Sequence, residues 1–84
     1  MIDAQQIEDQ LLTFLRREVF SPQVALAADT DLIASGFDSL SLVRLLLFVE
    51  KTYGRWIPER QITPETLRNV RTLSTAVCAL LHES

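Results

Sequence analysis

Asp38 and Ser39 are the residues of this 84-residue chain whose types and setting could do chemistry. They lie in Gly36-Phe37-Asp38-Ser39-Leu40, just ahead of an apolar run from Leu40 to Val49 that only Ser41 and Arg44 interrupt. Gly36 permits a tight turn into that run. Asp38 and Ser39 are both good N-cap types, so the Ser39 hydroxyl falls where a loop becomes a helix. Helix N-termini hold unpaired N–H groups and favour anions. The chemistry this setting suits is attachment of a phosphate-linked prosthetic arm to Ser39. The plainer role is that of a helix cap, worth about 1 kcal/mol. A hydrolase built on Ser39 is poorly served. His82 is the sole histidine and lies at the far end of the last expected helix, so no base stands beside the hydroxyl.

The elements around this stretch read as helices. Ile7, Leu11, Phe14 and Leu15 recur at helical spacing, which predicts an amphipathic helix over 4–18 with Asp3 as its cap. Val19 and Phe20 extend its apolar face, and Ser21-Pro22 stops it. Residues 21–38 form a long connection, which a compact domain must tie down or use. Val24, Leu26, Leu32, Ile33 and Phe37 are its candidate anchors, and Asp29-Thr30-Asp31-Leu32 reads as a capped turn. A central helix is predicted over 39–53, closed by Gly54. Leu42, Leu45, Leu46, Val49 and Tyr53 make its core stripe. Leu40, Val43 and Leu47 share a second face with Arg44. That face either packs beneath the 21–38 loop or docks a partner. Trp56, Ile57 and Pro58 are expected to pin the next connection, with Trp56 as a core lid or, alternatively, a partner contact. Thr63-Pro64-Glu65 predicts a short third helix over 64–68. Asn69 caps a last helix over 70–82, whose Val70, Leu73, Val77, Leu80 and Leu81 face the core. Nothing reads as a strand pair. The expected fold is all-α: a four-helix bundle with three long helices and one short, in a single domain over 1–84.

The totals narrow the function. A chain this short buries only about 60–65% of its unfolded surface and has little room for a deep catalytic pocket. A net charge of −3 argues against nucleic acid as a partner. Residues 1–43 hold seven acids and two bases, whereas residues 44–84 hold four acids and six bases. Cys78 is the single cysteine, which rules out an intrachain disulfide and fits a reducing cytosol. It reads as a small core-edge residue, and His82 as a surface residue matched to a helix C-terminus. The start, Met1-Ile2-Asp3, lacks a signal-peptide pattern, and the 40–49 run is too short to span a membrane. The expectation is a soluble, cytoplasmic, monomeric protein.

Asp29-x-x-Leu32-x-x-x-Gly36-x-Asp38-Ser39-Leu40, followed by a long apolar helix, resembles the acyl carrier proteins and the related peptidyl and aminoacyl carrier domains. The likeness covers nearly the whole chain, including the Ile57-Pro58 step and the Asn69-Val70 start of the last helix. It implies 4′-phosphopantetheine, moved from coenzyme A onto Ser39 by a phosphopantetheinyl transferase. The cargo then rides on the arm as a thioester. Asp38 matches the motif's acid, which helps the transferase reaction, while Gly36 and Leu40 complete the attachment motif. The implied partners are that transferase, an acyl- or aminoacyl-loading enzyme, and a downstream synthase or transferase. Such a chain is a carrier and not an enzyme.

One departure bears on the pathway. Fatty-acid carriers bear acids on the exposed face of the second helix. Residues 40–49 here contain none, and Arg44 stands where an acid is common. Docking through Leu40, Val43 and Leu47 would then rest on apolar contact, with Arg44 either a solvated charge or a recognition element. This leans towards a polyketide, peptidyl or aminoacyl carrier and away from bulk fatty-acid synthesis. The Thr63-Pro64-Glu65 start also resembles that of some stand-alone aminoacyl carriers. The rival reading is a small helical protein–protein interaction module that carries no arm.

Overall fold

A computed structural model describes residues 2–83. Among them are three α-helices: α1 (Ala4–Glu18), α2 (Ser39–Tyr53) and α3 (Val70–Leu81), with a single 3₁₀ turn at Glu59–Gln61 between the last two. Each α-helix starts on a side-chain cap. Asp3 accepts from the Gln6 N–H at 2.9 Å, and Gln6 Oε1 accepts from the Asp3 N–H at 2.9 Å, a reciprocal capping box. Asn69 and Thr72 repeat the arrangement at the start of α3. Gly54 closes α2 with φ +73°, a left-handed geometry that suits glycine.

The spacing of apolar residues sets the packing. Ile7, Leu11 and Leu15 of α1 are wholly buried, as are Leu45 and Val49 of α2 and Val70 and Leu73 of α3. Each such side chain contributes about 1.5–3 kcal/mol by leaving water. Leu42, Leu46 and Tyr53 complete the stripe of α2 in half-buried positions. α1 packs along α3. At their far ends the His82 ring pairs with the Ile2 carbonyl, so the two run antiparallel. α2 also runs antiparallel to α1: Arg44 reaches the Glu18 carbonyl, while the Tyr53 hydroxyl meets Gln10 nearer the start of α1. Phe14 and Phe48 stack across this pair with centroids 4.3 Å apart, a contact beyond the expected core stripe.

The long connection is ordered by hydrogen bonds rather than by a helix of its own. Arg16 grips the Leu26 carbonyl through Nη2 at 2.6 Å and Nε at 3.2 Å. The Leu32 N–H donates to the Arg68 carbonyl at 2.9 Å, and the Arg71 N–H to the Ala28 carbonyl at 3.0 Å. Asp31 caps a single turn that runs towards Gly36, two residues later than the Asp29 start expected. Leu26, Leu32 and Phe37 plug into the core.

Several expectations need correction. Ile33 is no anchor: it is 53% exposed, because the Asp31 turn directs Leu32 inward and its neighbour out. Trp56 is no core lid: it is 52% exposed, and the adjacent Ile57 is buried in its place. The α-helix expected over 64–68, and with it the count of four, is absent among the described residues. Thr63 starts a turn there, with the Leu67 N–H on its carbonyl at 3.0 Å, but the extended Asn69 that caps α3 ends it at once. One turn cannot offset the cost of nucleating a helix. The last helix ends at Leu81, with His82 as its C-cap.

Candidate functional site

The site is built at the start of α2. Gly36 takes φ +109°, a region in which an L side chain is strained, and Phe37 is then buried. This pair swings the chain from the loop so that Asp38 becomes the N-cap. Its Oδ1 accepts from the Ser41 N–H at 2.9 Å and from the Ser41 hydroxyl at 2.9 Å. The Ser41 amide first, and its hydroxyl second, hold the Asp38 carboxyl below the usual carboxylate range.

Ser39 is the first residue of α2 and is exposed. The cap role open to it in the sequence belongs to Asp38 instead. Its hydroxyl meets no hydrogen-bond partner among the described residues, so it is free for an incoming group. His82 is remote. It sits beside the start of α1, whereas Arg44, five residues beyond Ser39, touches the end of α1. The length of α1, roughly 22 Å at 1.5 Å per residue, separates the two, so a serine–histidine relay has no geometry here.

Leu40, Val43 and Leu47 are 61%, 51% and 54% exposed, which removes the alternative that they pack beneath the loop. Arg44 is exposed, yet it is not merely solvated: Nη1 donates to the Glu18 carbonyl at 2.8 Å. It also lines a cleft of about 280 Å³ with Val19, Gly36, Asp38, Leu40 and Ser41. Farther along α2, a groove of about 670 Å³ between α1 and α2 is floored by Phe14 and Phe48 and edged by Leu47, Arg17 and Lys51. The structure thus brings Gly36, Asp38, Leu40 and Arg44 around one cleft beside Ser39, with Val43 and Leu47 continuing along the same helix. Sequence reasoning passed over Ser41. The signal was present, because the third residue after an N-cap is where a reciprocal partner stands. The bond from Arg44 to Glu18 had no such signal, since 26 residues separate the two.

Residues 5–77 match the family described as "Phosphopantetheine attachment site". The chain is also similar to Aminoacyl carrier protein 1 of Bradyrhizobium diazoefficiens. The two are 40% identical over 64 residues, 71% of each chain. No solved structure matches. The helical fold, an exposed serine at the mouth of α2 and both likenesses agree: the chain belongs to the acyl carrier protein family, whose members are carriers rather than catalysts and whose prosthetic group is 4′-phosphopantetheine.

Proposed function

We propose that Ser39 takes the phosphopantetheine arm as a phosphodiester and that the protein delivers an acyl or aminoacyl cargo between partner enzymes. The observation that carries this reading is the Ser39 hydroxyl, exposed and without an internal partner at the first position of α2. The residues present fit the group. A phosphodiester there meets the unpaired amides of the first turn, and the helix dipole favours it by about 0.3–1 kcal/mol. Asp38 is a like charge beside it, and its bonds to Ser41 hold that charge in one place. When attached, the arm supplies a terminal thiol for a thioester. Ser39 and α2 supply the anchor and the surface that partners read.

Leu40, Val43, Arg44 and Leu47 are the proposed docking face. Their exposure and the acid-free run over 40–49 support a polyketide, peptidyl or aminoacyl pathway over bulk fatty-acid synthesis. The aminoacyl carrier relative leans the same way. The partners would be a phosphopantetheinyl transferase, a loading enzyme for an acyl or aminoacyl group, and a downstream synthase or transferase. The short helix expected over 64–68 would correspond to the turn that starts at Thr63. We read residues 1–84 as one such domain, working as a monomer in the cytoplasm. No described helix is long and apolar enough to cross a membrane.

The test is incubation with coenzyme A and a broad-specificity phosphopantetheinyl transferase, followed by intact mass measurement. A gain of one phosphopantetheine, absent in Ser39→Ala, is expected. A folded wild-type protein that gains nothing overturns the reading and leaves an interaction module without an arm. Trapping the loaded thioester by mass spectrometry then identifies the cargo.

A further inference from the structure

Ser41 is a polar residue in a position the core could have used: the residue is buried, with 8% of its surface exposed, on the inward flank of α2. Two residues of helix turn the chain by roughly 200°, so Ser41 stands on the side of α2 opposite Ser39. Its amide would cap against Asp38 whatever its side chain. The hydroxyl adds a second donor to the same oxygen, Oδ1, at 2.9 Å. No hydrogen bond to Oδ2 is seen among the described residues.

We infer that Ser41 is a positioning residue for arm attachment: its hydroxyl draws the Asp38 carboxylate towards the buried flank of α2, which leaves the Ser39 hydroxyl unpartnered and Asp38 Oδ2 presented to the transferase. The inference rests on Ser39 being the attachment residue. In the step concerned, Ser39 Oγ forms a bond to the coenzyme A phosphorus that bears the pantetheine. The bond from that phosphorus to the oxygen bridging to the nucleotide breaks, so adenosine 3′,5′-bisphosphate leaves. The serine proton passes to a base of the transferase. Held by the amide alone, the carboxylate can turn about that one bond and accept from the Ser39 hydroxyl or lie against the incoming phosphate, and either slows the step. Arg44 is the other charged side chain lining this cleft, and its bond to the Glu18 carbonyl holds it in place.

The experiment compares wild type, Ser41→Ala, Ser41→Thr, Asp38→Asn and the Ser41→Ala/Asp38→Asn double variant. Initial transfer rates are read by intact mass, with a thermal melt on each protein. Ser41→Ala is expected to lower kcat/KM for transfer about tenfold, the lower end for loss of a hydrogen bond to a charged group. Ser41→Thr keeps the hydroxyl and is expected to restore most of the rate. The double variant is expected to be no slower than Asp38→Asn, because Ser41 acts through that carboxylate. Transfer to Ser41→Ala at the wild-type rate, or losses that simply add in the double variant, overturns the assignment of Ser41 and leaves Ser39 as the attachment residue. A folded wild type that gains no mass overturns both.

Discussion

Asp38 caps α2 with its carboxylate, and its titration reports on that cap. The Ser41 amide and hydroxyl favour its charged form, so its pKa is lower in the folded chain than in the unfolded one. Such a group lends stability above its unfolded pKa, about 3.9, and that stability is lost as pH falls through the folded value. Asparagine caps a helix about as well as aspartate but does not titrate. Asp38→Asn is therefore expected to melt near the wild-type temperature at neutral pH and to lose less stability on acidification below about pH 4. Melting curves recorded by circular dichroism across that range check this. Parallel profiles for the two proteins would mean that the bonds to Ser41 do not favour the charged carboxylate over the neutral one. At this scale the sequence was informative about Asp38 and Ser39, because cap residues act within a few positions of themselves. It could not choose which of the two caps the helix, since both types suit the role and the backbone angles decide.

α2 is a rod with two apolar faces, and substitutions should tell them apart. Leu45→Ala removes a fully buried side chain and is expected to cost about 2–5 kcal/mol. Leu47→Ala trims a side chain that is 54% exposed and should stay within about 0.5 kcal/mol. Half-buried Leu46 should fall between. Chemical denaturation ranks the three, and equal losses would contradict the assignment of faces. Arg44→Glu is expected to change affinity for the loading enzyme and also to lower the melting temperature, since the Glu18 carbonyl loses its donor. A hydrogen bond of this kind contributes about 0.5–1.5 kcal/mol. A variant that melts with wild type but binds differently would leave recognition as the sole role of Arg44. The bounds of α1 and α2 were readable from period and caps alone, both within a residue of the structure. The 64–68 segment was not, because a good start signal says nothing of the cap that follows six residues later.

Across the whole molecule, order in the 21–38 connection comes from contacts distant in sequence, which is why its course was beyond sequence reasoning. Apolar content picked out Leu26, Leu32 and Phe37 as plugs but also Ile33, and only the turn at Asp31 decides which neighbours point inward. Arg16 is a side-chain clasp on this segment, through the Leu26 carbonyl. Arg16→Met keeps an aliphatic stem and removes both donors. It is expected to speed amide hydrogen exchange at residues 24–32 while α3 stays protected. Unchanged exchange in the loop would show that its plugs suffice without the clasp. The outward placement of Trp56 has a practical side as well. The chain holds one tryptophan, and it already faces water in the native state. Its emission should therefore be red-shifted and open to iodide quenching before any denaturant is added, so unfolding will scarcely alter the colour of that light. The same indole becomes an intrinsic optical probe: a blue shift or loss of quenching on mixing with an enzyme would report a footprint reaching past the end of α2, with no label attached.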